Sequence, residues 1–410
     1  MEEPIDPPAG QAIGSAPAMG IQASQEEHGP SPHINDWSNF VSFSPRLYFK
    51  PQSLNELKGF LSAIAQGMLE TSHIRVLGSL HSCSNIFVSD TIIDVSLLPK
   101  TLEFSDDNSV VTASANWTLS EFFQKLGQRG KSLAALGGTN AQTLAGIMST
   151  NTAPATPKRS IYDLVNWVEY MTIDPITKEV VEKRVTRADA EFNAVVGSLG
   201  AIGIITKIQF RTVDQLFFAV TMRIMDMADA LEDLDATSAQ YDFWRVNWIP
   251  ESDKALLWAA RQIPREEADL EGDYDPDEAE TVLNFVFMLW DRVSKGAAGP
   301  LLDNTMKVVY KYLMSPWNWE GLDYIVKFNF MYLTDVCKTE AEKALIRDHL
   351  RGLWDRLIQE GIPFKAHWGK INFMDPQFVA QNYQLAAFEK LIHPLFLNRY
   401  VAERVLGRDG

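Results

Sequence analysis

The chain has 410 residues, enough for two domains with cores of their own, and its 46% hydrophobic and 22% charged composition is that of a globular protein. A net charge of −16 argues against a nucleic-acid partner, which needs clustered Lys and Arg to neutralise phosphates, and no apolar run approaches the roughly 18 residues of a membrane span. The two cysteines, Cys83 and Cys337, support neither a disulfide framework nor a cysteine zinc site, and His349, His367 and His393 lack ligand spacing, so no metal is expected.

In chain order, residues 1–35 are rich in Pro, Gly, Ala, Ser and Gln without apolar periodicity, and read as a disordered leader with folded structure starting near Trp37. The start lacks the basic and apolar regions of a signal peptide and the arginines of a transit peptide, so a cytoplasmic location is expected. Ser53-Leu54-Asn55-Glu56 has the form of a capping box, and Leu57, Phe60, Leu61 and Ile64 follow at helical spacing. A strand through Ile74, Val76 and Leu77 then leads to Gly78-Ser79-Leu80-His81-Ser82. Small residues there let the backbone turn closely around a ligand, and the turn's amides can form a nest for a pyrophosphate without lysine. His81 stands where a ring nitrogen could bond a cofactor carbon. On these residues alone, a tight turn of any α/β protein with a satisfied histidine is the plainer alternative.

Residues 91–98 and 109–115 read as further strands, and Thr118-Leu119-Ser120-Glu121 caps a helix through Leu126. Residues 134–157 are poor in charge and crowded with Ala, Gly, Thr, Asn and Pro, which suits the lining of a groove, with Thr143, Ser149, Thr150 and Asn151 as hydrogen-bonding groups. An Ala/Gly-rich packing turn is the alternative. Residues 208–212 end a first domain, and a strand over 217–225 opens a second. Residues 242–250 alternate so that Arg245 and Asn247 share one face, a pair that could serve a polyol pocket or lie on an ordinary half-buried strand. The acidic stretch 266–278 reads as a solvated loop and lacks the ligand spacing of an EF-hand. Residues 327–332 form a strand bringing Lys327, Asn329 and Met331 together. Thr339-Glu340-Ala341-Glu342 caps a helix whose Leu345, Ile346, Leu350, Leu353, Trp354, Leu357 and Ile358 make one apolar, core-packed face. A following strand delivers His367-Trp368-Gly369-Lys370-Ile371-Asn372. No G-x-G-x-x-G with a later acid supports a nicotinamide cofactor.

Four separated segments carry a resemblance: residues 75–82 are close to R-x-x-G-x-x-H-S, residues 142–150 hold Gln-Thr-Leu-Ala-Gly running to Ser149-Thr150, residues 197–206 read Gly-Ser-Leu-Gly-Ala-Ile-Gly-Ile-Ile-Thr, and Ala366-His367-Trp368-Gly369-Lys370 is near P-H-W-G-K. Together they resemble the aldonolactone and alditol oxidase branch of the vanillyl-alcohol-oxidase superfamily. The resemblance implies an α+β, two-domain fold of the p-cresol-methylhydroxylase (PCMH) type, with an FAD-binding domain over 36–212 and a substrate (cap) domain over 213–410. It implies FAD tethered to His81 and held by Gly78, Ser79, Leu80, Ser82, Thr143, Gly146, Ser149, Thr150, Gly200, Gly203, and Ile204 and Ile205 along the adenine side. Asn398, in an ending like F-x-N-x-Y, returns to the flavin. Lys370 is implied in the substrate site, where an ammonium could favour negative charge on the reduced ring, with His367 as a second candidate and Lys327, Asn329, Arg245 and Asn247 as substrate contacts. The implied activity is oxidation of a CH–OH group of a sugar alcohol, sugar lactone or related alcohol, with dioxygen as acceptor and hydrogen peroxide as product. A same-fold dehydrogenase and a non-catalytic flavin-fold protein are the alternatives. Two departures bear on these: Asn151-Thr152-Ala153-Pro154 stands where the family continues with a Gly-Thr-His-Gly segment, and no Glu-x-Arg strand lies between Lys307 and Asn329.

Overall fold

The computed structural model describes residues 31–135, 140–152, 160–248, 253–268 and 339–409. Three strands, β1 (Leu47–Phe49), β2 (Ile74–Leu77) and β3 (Thr91–Asp94), form a parallel sheet in the order β1-β3-β2. Parallel neighbours need a crossover, and helix α1 (Leu54–Ala65) lies between β1 and β2 in sequence. Its N-cap Ser53 accepts from the Glu56 amide, but the Glu56 carboxylate accepts from the Gln52 amide instead of closing the box on Ser53. The expected stripe Leu57, Phe60, Leu61 and Ile64 is buried against Ile74 and Ile93, and Phe60 stacks on Phe49 at 4.1 Å.

Five strands make an antiparallel sheet: β4 (Leu102–Phe104), β5 (Val110–Ser114), β6 (Val165–Ile173), β7 (Val180–Thr186) and β8 (Ile204–Arg211), in the order β7-β6-β8-β5-β4. Helix α2 (Leu119–Gly127), opened by the complete Thr118/Glu121 capping box, buries Leu119, Phe122 and Leu126, with Phe122 set against Phe210 of β8 at 5.6 Å. Short helices α3 (Leu144–Ser149) and α4 (Phe192–Val196) join the same core. A separate antiparallel sheet holds β9 (Phe217–Asp226), β10 (Phe243–Trp248) and β11 (Lys254–Ile263), with β11 in the middle. Helices α5 (Met227–Glu232) and α6 (Leu234–Gln240) connect β9 to β10, and α7 (Glu340–Gln359) begins at the expected Thr339/Glu342 box. Among the described residues no helix is long and apolar enough to cross a membrane, and no group of three or more His, Cys, Asp or Glu is arranged to hold a metal.

Several expectations are corrected. Order begins before Trp37: residues 34–35 pair with Ser42–Phe43, and Ile34 is buried in the core, where one apolar side chain anchors an otherwise polar segment. The strand over 91–98 stops at Asp94, whose side chain caps a 3₁₀ turn at the Ser96 amide. Residues 367–372 are not a strand. The Gly369 amide donates to His367 Nδ1 at 2.9 Å and the Lys370 amide to the His367 carbonyl at 3.1 Å, a local turn that competes with sheet pairing. On α7, Leu353 is buried and Ile346 and Trp354 pack on the core, but Leu345 and Ile358 are exposed, so the apolar face is narrower than the spacing suggests. The strand over 327–332, most of the acidic stretch and Cys337 lie outside the described residues, as do the Ala153-Pro154 departure and the region expected to lack Glu-x-Arg.

Candidate functional site

Three segments from different parts of the chain contribute to the walls of one cleft that opens to solvent. The first wall is the end of β2 and the turn after it. Leu77 is the last residue paired with β3, and the chain then turns through Gly78 and through Leu80, which has φ +54°. The amides of Ser79, Leu80, His81 and Ser82 donate to no carbonyl among the described residues. A left-handed residue among free amides is the backbone of an anion nest. Gly78 is required by packing as well, because a Cβ there would lie 2.6 Å from Thr143 Oγ1.

That threonine belongs to the second wall. Thr143 Oγ1 caps α3 by accepting from the Gly146 amide at 3.2 Å, and Gly146, Ser149 and Thr150 face the cleft beyond it. The third wall runs from Leu199 to Thr206. Gly200 has φ +70°, and a Cβ on it would meet Arg75 Nη1 at 2.7 Å; one on Gly203 would meet the Met171 carbonyl at 2.5 Å. Both glycines therefore let this wall sit flush against its neighbours. Two buried polar atoms from cleft residues lack partners among the described residues, Arg75 Nε and Gln142 Oε1. Free amides and unpartnered buried polar atoms, with glycines at 78, 146, 200 and 203 that let the backbone come close, fit a long phosphate-bearing dinucleotide.

His81 stands at the end of the first wall. Its ring stacks on Trp37 at 4.8 Å with planes 11° apart, and the indole Nε1 donates to the His81 carbonyl at 3.0 Å. Lys370 reaches the same carbonyl, donating from Nζ at 3.3 Å, and its ammonium lies 5.3 Å from the Trp37 ring centre. The turn 367–370 is held here by backbone contacts: the Cys83 amide donates to the Gly369 carbonyl at 2.7 Å, and Ser84 Oγ to the Trp368 carbonyl at 2.8 Å. Gly369 packs closely here, since a Cβ would lie 2.7 Å from Ser82 Oγ and displace that hydroxyl. Asp36, 2% exposed, accepts from the Val41 and Ser38 amides and from Ser38 Oγ, which also lies 3.1 Å from Cys83 Sγ.

The electrostatics follow from this burial. The His81 pKa is pushed down to about 4, first by burial and then by the Lys370 charge, against an upward pull from Asp36. The imidazole is thus neutral at neutral pH, with a nitrogen lone pair available. Burial lowers the Lys370 ammonium from its usual range, opposed by Cys83 and Asp36, while burial raises the Cys83 thiol.

All thirteen residues from Gly78 to Ile205 expected at the flavin line this one cleft. Asn398 does not: it is 2% exposed and clamps the structure behind the cleft, accepting from Arg75 Nη2 and donating toward the carbonyls of Asn85, Ile86 and Val88. His367 turns its Nδ1 to the Gly369 amide and so shapes the turn that presents Lys370. Arg245 and Asn247 are on β10 and not on the cleft walls, Arg245 lying over the Trp258 ring at 5.2 Å. Lys327 and Asn329 fall outside the described residues. Sequence reasoning missed Asp36, Trp37 and Cys83 as site residues, and used Arg75 and Gln142 only as motif letters. Asp36 carried a legible signal, an acid two residues before Ser38, the spacing of an Asx turn.

Residues 45–175 match the family model described as an FAD binding domain. D-arabinono-1,4-lactone oxidase of Kluyveromyces lactis is 29% identical over 233 residues, covering 55% of this chain and 43% of the relative. L-gulonolactone oxidase of Scyliorhinus torazame is 25% identical over 228 residues, covering 55% and 51%. The chain thus spans about half the length of the curated relatives it matches. Among solved structures, cholesterol oxidase of Brevibacterium sterolicum superposes with a TM-score of 0.54 at 14% identity, over 69% of this chain and 58% of that one, a likeness of fold. Residues 45–175 thereby define an FAD-binding domain, within an α+β fold shared with cholesterol oxidase. In sequence the chain is similar to the aldonolactone oxidases.

Proposed function

We propose that the protein is an FAD-dependent oxidase that converts a CH–OH group of a sugar lactone, or of a closely related sugar alcohol, to a carbonyl, with dioxygen as acceptor and hydrogen peroxide as product. The observation that carries this reading is the meeting of His81 and Lys370, 289 residues apart, at one end of the cleft. Bound FAD supplies the hydride acceptor and the route of electrons to oxygen. The chain supplies position and charge. Free amides of the 79–82 turn bind phosphate oxygens, and the third wall, with Gly200 and Gly203 beside Ile204 and Ile205, admits the adenosine half. His81, neutral and fixed by Trp37, offers a ring nitrogen for the covalent tether. Lys370 brings a half-buried ammonium to the same region, where it stabilises negative charge arising on a substrate oxygen or on the reduced ring. The relatives' names support a lactone as substrate and oxygen as acceptor. The test is peroxide release and anaerobic bleaching of flavin absorbance with a panel of aldonolactones and alditols. Bleaching without peroxide in air indicates the dehydrogenase alternative, and no bleaching by any member refutes the substrate class.

A further inference from the structure

Arg75 is 3% exposed, yet no carboxylate among the described residues pairs with it. Its guanidinium donates from Nη1 to the Leu199 carbonyl at 2.6 Å and from Nη2 to Asn398 Oδ1, both neutral acceptors, and Nε has no partner among the described residues. Burial alone acts on it, pulling its pKa down to about 9. An uncompensated buried cation is costly, and a residue held for packing alone could be apolar at lower cost. Three further features surround this cation. Arg75 contributes to the wall of the cleft, it stands three residues before the Gly78 turn whose following amides are free, and Gly200 takes a left-handed conformation where a Cβ would press on Nη1.

We propose that Arg75 is the counter-charge for the pyrophosphate of the dinucleotide, neutralising from the floor of the cleft the anion that the turn amides hold from above. The inference rests on the FAD reading and deepens it, since it assigns the charge balance of the cleft to one residue. It makes the adenosine diphosphate half the part of the cofactor on which the folded cleft depends.

The test uses the full-length chain carrying His81→Ala, stripped of flavin, titrated calorimetrically with FAD, ADP and adenosine. In this parent ADP is expected to bind more tightly than adenosine. Adding Arg75→Met is expected to weaken ADP by roughly tenfold to a hundredfold, the range of a charge-assisted hydrogen-bonded contact, while adenosine changes no more than about threefold. Equal losses for ADP and adenosine, or an unchanged ADP affinity, overturn the proposal, because a clamp on Leu199 and Asn398 alone does not sense phosphate. Should the Met variant fail to fold by circular dichroism, Arg75→Gln, which keeps a donor but not the charge, decides by the same criterion. FAD binding to the parent with no preference for ADP over adenosine overturns this inference alone. No binding of any of the three overturns the flavin reading itself.

Discussion

Replacing Asn398 with Ala separates two roles for this residue, a contact with the cofactor and a clamp behind it. The side chain is 2% exposed. Its Oδ1 accepts from Arg75 Nη2 and, as N-cap of the helix Arg399–Val401, from the Val401 amide at 3.2 Å. Its Nδ2 lies 2.9 Å from the Val88 carbonyl and 3.2 Å from those of Asn85 and Ile86. Truncation removes a hydrogen bond to a charged group, a helix cap of about 1 kcal/mol and the amide's bonds to the carbonyls of Asn85, Ile86 and Val88. Together these are worth about 4 kcal/mol, with the charged bond the largest part. Urea unfolding followed by tryptophan fluorescence measures the loss, with an unchanged slope indicating that the denatured state is unaltered. The expected result is destabilisation of the flavin-free chain by that amount, with FAD affinity reduced only as far as Arg75 is displaced. A loss below about 1 kcal/mol coupled to loss of FAD would refute the reasoning and return Asn398 to the cofactor.

Trp37→Ala removes the stack on His81 and the donor to its carbonyl, so the fraction of flavin resistant to acid precipitation should fall about tenfold at early times while noncovalent FAD still binds, a change readable by absorbance. In flavin-free protein His81 has a folded pKa near 4 against about 6.5 unfolded, so the unfolded chain binds more protons in that interval. Stability should therefore rise as pH increases from about 4 to 6.5, and urea midpoints of His81→Ala should lack this component. Lys370→Met should slow anaerobic flavin reduction by at least about tenfold. The wild-type rate should fall with rising pH as the ammonium is lost, starting below the ordinary lysine value of about 10.4, whereas the variant stays flat over that range in stopped-flow measurements.

Much of the fold and part of the cleft were legible because they rest on local chemistry. The Thr118 and Thr339 capping boxes, the stripe of α1 and the glycines at 78, 200 and 203 all announce themselves within a few residues. What escaped depends on contacts distant in sequence. Nothing near Asn398 says that its partners are Arg75 and the carbonyls of residues 85–88, over 300 positions away, and an apolar-looking His-Trp-Gly-Lys run gives no sign that the His367 ring will close a turn on Gly369. Asp36 and Trp37 follow a segment whose composition reads as disorder, so their place beside His81 was hidden by Ile34, a single residue that docks that segment into the core. Arg245 and Asn247 illustrate the reverse error: period-two alternation located their strand and shared face correctly but carried no information on which sheet, or which cavity, that face meets.

The central claim is that His81 tethers FAD in the cleft, with Lys370 beside it on the His81 carbonyl. The most direct measurement is the visible spectrum of the purified protein, followed by acid precipitation of wild type and His81→Ala. The account predicts a flavin spectrum in both, with yellow colour kept in the wild-type pellet and released to the supernatant by the variant. Flavin released equally from both would contradict the tether, and a colourless protein that takes up no FAD on reconstitution would contradict the account as a whole.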